Sequence, residues 1–213
     1  MTLLELAAWH TRYDSATYSP EVYAELVVAG NEHPYKFSIM GAWKAGKSLE
    51  KDSHGTAYTD SQGQTYAYTN RWADHAPVGK STWEYINENQ TTIKAEVPST
   101  FPDTKPAILE ELQQRQGFGF IWGLFTLHCF YPEVFPLYDQ HVYRAYKLYT
   151  TQDERPYLSA PNDWQEYARY RTFFLDSIQA LDMPYWLFDR ALWAYGKAIK
   201  QPRMHTTGHF LKS

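Results

Sequence analysis

A mainly α fold with one small β excursion is what the sequence predicts, on three observations. Apolar residues recur at helical spacing along most of the 213 residues. Recognisable starts and stops bracket these runs, among them Ser19-Pro20-Glu21, Gly117 and Pro132. Only 46–77 turns to Gly, Ser, Thr, Asp and Gln.

Taken in order, Leu3 to Tyr13 carries the first helical pattern. Ser19 as N-cap with Pro20 in the first turn starts a second helix that runs to about Gly30. Pro34 opens the next segment, and Tyr35 to Ala45 is apolar on most sides, so it reads as a buried helix or a strand. In the polar stretch, Thr56-Ala57-Tyr58-Thr59 and Thr65-Tyr66-Ala67-Tyr68 flank Ser61-Gln62-Gly63-Gln64, which reads as a surface hairpin or a long loop. Ser81 caps a helix reaching about Asn89. Pro98 to Pro106 is a proline-rich connection, dividing an N-terminal helical lobe (1–97) from a C-terminal one (98–213) within one compact unit. Helices follow from Ala107 to Gln116, Ile121 to Phe130, Asp139 to Tyr149, Asn162 to Ala180 and Pro184 to Lys200. The last closes the core against the helix that starts at Asp139.

The totals restrict function. Cys129 is the only cysteine, so this chain alone forms no disulfide, no four-cysteine zinc site and no iron–sulfur cluster. A reducing, cytoplasmic setting is expected, and no run of about 18 apolar residues could span a membrane. The protein is therefore expected to be soluble. The net charge of −4 disfavours nucleic acid as a partner, but its distribution does not. Residues 140–213 hold 10 basic and 7 acidic side chains, and no acid follows Asp189. Phe, Trp and Tyr make up 17% of the chain, enough to fill a core and still leave flat surfaces for stacking bases.

The segment Gly117 to Ala145 is the most informative. Gly117 and Gly119 form a glycine turn whose bare backbone can approach a phosphate. The helix after it offers unpaired amides and a positive dipole end. Asp139 then stands at the mouth of the following helix, ahead of His141-Val142-Tyr143-Arg144. A carboxylate there can stabilise the positive charge on a sugar losing its base and help water attack the anomeric carbon. It can equally be an ordinary N-cap.

This segment resembles the helix-hairpin-helix DNA glycosylases of the endonuclease-three and 8-oxoguanine type. Gly117-Phe118-Gly119-Phe120-Ile121 lies over their glycine hairpin, and Asp139-Gln140-His141-Val142-Tyr143-Arg144 over their aspartate stretch, without a gap. The resemblance covers about 30 residues. It implies a glycosylase-like helical fold, DNA as partner and Asp139 as catalytic carboxylate. Two departures stand out. Arg115-Gln116 replaces the family's Leu-Pro, and Ile121 occupies the place of the Schiff-base lysine, which implies base removal by hydrolysis without strand cleavage.

Around Asp139, Trp122, Phe125, Tyr138 and Tyr143 are candidate walls for an extruded base. Arg144 and Lys147, a helical turn apart, are candidate phosphate contacts beside Gly117 and Gly119. His128 and His141 form no metal motif, and no cofactor is implied. A competing motif, Gly41-Ala42-Trp43-Lys44-Ala45-Gly46-Lys47-Ser48, matches the P-loop pattern. Leu49 to Gly55 is too polar and too soon broken to supply the helix such a loop needs, so a helix through Trp43 is the competing expectation. The functional expectation is a monofunctional DNA base glycosylase. The alternatives are a non-catalytic DNA- or protein-binding module on the same scaffold, and a P-loop nucleotidase.

Overall fold

The computed structural model describes residues 1–45, 56–59, 65–68, 80–115, 117–155 and 158–200. Helix α1 (Leu3–Ala7) begins with a reciprocal capping box between Thr2 and Glu5, and tightens into a 3-10 turn over Ala8–Arg12. Ser19 caps α2 (Pro20–Tyr23) by accepting from the Val22 amide, with Pro20 in the first turn as expected. That helix widens into a π turn over Ala24–Val28 and ends before Gly30, whose φ of +68° suits glycine.

The ambiguous segment after Pro34 is a helix, α3 (Lys36–Lys44), buried from Lys36 through Trp43. Its apolar residues face the core on nearly every side, so period alone could not separate helix from strand. Gly41 lies inside α3, and the Ala45 amide donates to its carbonyl at 3.0 Å. The P-loop expectation is thereby corrected. Amides committed to a helix cannot curl around a phosphate chain; Gly46, Lys47 and Ser48 lie outside the described residues.

In the polar stretch, β1 (Thr56–Thr59) and β2 (Thr65–Tyr68) pair antiparallel with Thr56 opposite Tyr68. The turn at 61–64 is outside the described residues. Helix α4 (Lys80–Glu88) already includes Ser81, so Ser81 is not its cap. Then come α5 (Gln90–Glu96), the irregular proline-rich connection, and α6 (Ala107–Gln113). Gly117 follows at φ +73°. The C-terminal half is α7 (Phe120–Phe130), α8 (Gln140–Thr151), α9 (Trp164–Leu181) and α10 (Tyr185–Lys200).

Helix α7 is apolar all round and almost wholly buried, so it is the natural centre of the core. A single cluster of buried apolar side chains spans both sides of the proline-rich connection, from Leu6 and Tyr23 to Phe188 and Leu192. The two halves are stitched at His128. Its Nδ1–H donates to the Phe135 carbonyl (2.7 Å), and its Nε2 accepts from the Tyr23 hydroxyl (2.7 Å). Burial pushes the imidazole pKa down to about 3, so the ring stays neutral. Replacing Tyr23 by Phe should strand that nitrogen and cost about 1–3 kcal/mol. The expected signature is a lower urea midpoint at unchanged m-value.

The last helix closes this core against α8, as the sequence led one to expect. Gly196 of α10 meets the His141 backbone so closely that an added Cβ would collide with its carbonyl oxygen. On its other side α10 packs against the N-terminal segment, with Trp9 and Tyr195 rings 5.1 Å apart.

Candidate active site

The residues leading to Asp139 are held by side chains from elsewhere. The Arg171 Nε donates to the Val134 carbonyl (2.7 Å), the Tyr167 hydroxyl to that of Pro136 (3.0 Å) and the Tyr170 hydroxyl to that of Leu137 (2.8 Å). With His128 on Phe135, four consecutive carbonyls are thus bound, and the backbone delivering the carboxylate is fixed from below.

Asp139 divides its two oxygens. Oδ1 caps α8 by accepting from the amides of His141 (2.7 Å) and Val142 (3.2 Å). Oδ2 stands 3.7 Å from Lys44 Nζ, which arrives from the last turn of α3. The Asp139 side chain remains 22% exposed and the Lys44 side chain 9%. The Lys44 ammonium also sits 5.0 Å from the centre of the Phe125 ring, whose π face favours a cation.

Both side chains line a cleft of about 460 Å³ with Tyr18, Ile121, Trp122, His141 and Trp193. That volume falls within the roughly 300–1,000 Å³ usual for small-ligand sites. The walls are aromatic and interlocked, with Tyr18 and Trp193 rings 4.8 Å apart and His141 5.4 Å from Trp193. Burial lowers the His141 pKa, against the pull of Asp139, and Arg144 donates to its Nδ1 (3.1 Å). The imidazole in the cleft is therefore neutral near pH 7.

The glycine turn has open space beside Gly119. An added Cβ at Gly119 would meet nothing within 4 Å. Gly119 is also the N-cap of α7 and provides no side-chain cap, so the first-turn amides have no capping side chain.

Several candidates are placed elsewhere, and the expectation for them is corrected. Tyr138 is buried among Tyr143, Tyr167 and Tyr170, and Tyr143 donates to Glu166 (3.2 Å). Phe125 lies beneath Lys44 rather than on the cleft wall. Of the four aromatic candidates, Trp122 alone lines the cleft. Arg144 is 2% exposed and spends its guanidinium on Gln140 (2.9 Å) and His141, and Lys147 is 3.5 Å from Glu166. Neither is free for phosphate. Lys44, Tyr18 and Trp193 were not picked out for this site from sequence, because they come from α3, the connection before α2 and α10, whose convergence no local spacing reveals.

The chain matches no protein-family model, and no curated protein or solved structure is significantly similar to it. Among the described residues, no helix is long and apolar enough to cross a membrane. Nor does any group of three or more His, Cys, Asp or Glu residues stand where it could hold a metal ion.

Proposed function

We propose that this protein removes a modified base from DNA by hydrolysing the N-glycosidic bond, with Asp139 as the essential carboxylate. One observation carries this: Asp139 commits one oxygen to its helix, sets the other 3.7 Å from Lys44, and lines an aromatic-walled cleft. The open backbone at Gly119 and the uncapped start of α7 support it, since they offer a phosphate contact that side chains do not.

In the proposed reaction the extruded nucleotide enters the cleft, its base against Trp122, Tyr18 or Trp193. As the base departs with its bonding electrons, the Asp139 carboxylate stabilises the sugar cation, and a water oxygen bonds to the anomeric carbon. One of the water's two protons passes to the Asp139 carboxylate and the other stays on the new hydroxyl; His141 is no base here, since its Nδ1 accepts from Arg144. The product is an abasic site. Ile121 supplies no amine, and the Lys44 ammonium is engaged with Asp139, so water is the nucleophile and the strand stays intact. A cytoplasmic setting goes with this proposal.

A non-catalytic DNA- or protein-binding module is the second reading, favoured by the helix cap and the ion pair, which account for Asp139 without chemistry. Incubation with duplexes carrying oxidised, alkylated and deaminated bases separates the two. Alkali-labile sites are expected with at least one lesion, and none with Asp139→Asn. Binding to duplexes without any alkali-labile product would leave only the module. Nicking without alkali would contradict hydrolysis by water alone and single out Lys44, the one lysine in the cleft lining.

A further inference from the structure

At the opposite end of α3 from Lys44 stands a second lysine, Lys36, with no ion pair among the described residues. Lys36 is the first residue of α3 and only 6% exposed, yet among the described residues its ammonium has neither an ion pair nor a hydrogen bond. It lines a cleft of about 500 Å³ together with His33, Asn87, Gln90, Thr91 and Lys94. A cation largely withdrawn from water is costly, and burial accordingly lowers the Lys36 pKa, with Lys94 adding to the effect and Cys129 and Glu32 opposing it. The positive dipole end of α3 raises the local potential further.

The walls of this cleft are preformed. Asn87 accepts from the Phe37 amide (2.9 Å) and donates to the Ser38 hydroxyl (2.6 Å), which fixes α4 to the start of α3. Gln90 donates to the His33 carbonyl (3.0 Å) and holds the preceding loop. The rim adds the exposed Lys94 and Thr91 as possible donors. Glu32 and Glu88 also stand on this rim, exposed, and neither comes within ion-pair distance of Lys36. Their charge opposes an anion at the rim, so an anion must be held by Lys36 and Lys94 against it.

We propose that this cleft is a binding site for a compact oxyanion, a phosphate or carboxylate group, received by the Lys36 ammonium. The site is distinct from the Asp139 cleft. Lys36 and Lys44 lie eight residues apart on one helix, about 12 Å along its axis at 1.5 Å per residue. It does not rest on the glycosylase proposal and survives or falls separately.

The test is titration of the whole protein with inorganic phosphate and, in a second arm, acetate, against chloride at matched ionic strength, read by calorimetry and by Tm. A saturable heat and a saturable rise in Tm are expected in at least one arm. Lys36→Met should abolish both while leaving the anion-free protein at least as stable. Lys44→Met should leave them unchanged. Should Lys36→Met fail to fold, Lys94→Met on the exposed rim is expected to weaken binding several-fold. No saturable response in either arm, equal binding by Lys36→Met, or loss in Lys44→Met alone would overturn the site and leave Lys36 as a solvated ammonium only. In the fallback, unchanged binding by Lys94→Met would overturn it too.

Discussion

Asp139→Asn is expected to keep the fold and lose base excision, whereas Asp139→Ala is expected to lose both activity and stability. The distinction follows from the two oxygens. Asparagine is as good an N-cap as aspartate, so the bonds to the His141 and Val142 amides survive in the amide variant. What disappears is the negative charge facing the cleft. If that charge stabilises a sugar cation, its removal should slow single-turnover excision by about 10²-fold or more. Alanine removes the cap as well, worth about 0.5–2 kcal/mol, and leaves Lys44 without its carboxylate. Tm and excision rate measured on the same three proteins decide the matter. An Asp139→Asn protein that excises at the wild-type rate would leave the residue as a cap alone.

Asp139 was legible in the sequence because a cap is a local event: a carboxylate directly before a helix, with Pro136 marking the break. The glycine turn was legible for the same reason. The cleft opposite was not. Helix α7 is apolar all round, so nothing in its sequence says that Trp122 faces the cleft while Phe125 faces inward. Tyr138 and Tyr143 are near Asp139 in the chain, but the backbone turns them into the α8–α9 core. Arg144 could have been anticipated differently, since Gln140 and His141 lie four and three residues before it, the spacing at which helical side chains meet. Lys44 was hidden by a better-looking local match. It belongs to a run that copies a P-loop in letters, while its partner is supplied by a distant helix start.

The folded protein should lose stability between about pH 6.5 and 8, and Asp189→Asn should remove that loss. Asp189 is 7% exposed, and its Oδ1 has no hydrogen-bond partner among the described residues. Burial, and then the charge of Asp139, push its pKa from the ordinary 3.8 up to about 8, against the opposing pull of Lys44 and Arg190. The phenols of Tyr13, Tyr23, Tyr170 and Tyr185 also feel its charge, and burial raises each of them. A carboxyl with a raised folded pKa binds its proton more tightly in the native state than in the unfolded chain. Its contribution is therefore full below about pH 4, declines by about 1.4 kcal/mol per pH unit, and is lost above about pH 8. His128 acts in the opposite sense, because its lowered pKa makes stability rise with pH until the unfolded imidazole has titrated near 6.5. The two slopes oppose each other below that point. Above it Asp189 acts without His128, and the raised tyrosines and the Cys129 thiol, pushed up to about 12, come into play only at higher pH. Urea unfolding at pH 6.5, 7.2 and 8.0 should thus show a fall of about 2 kcal/mol in wild type and a flat profile in Asp189→Asn. Parallel profiles in the two proteins would mean that Asp189 is already ionised in the fold.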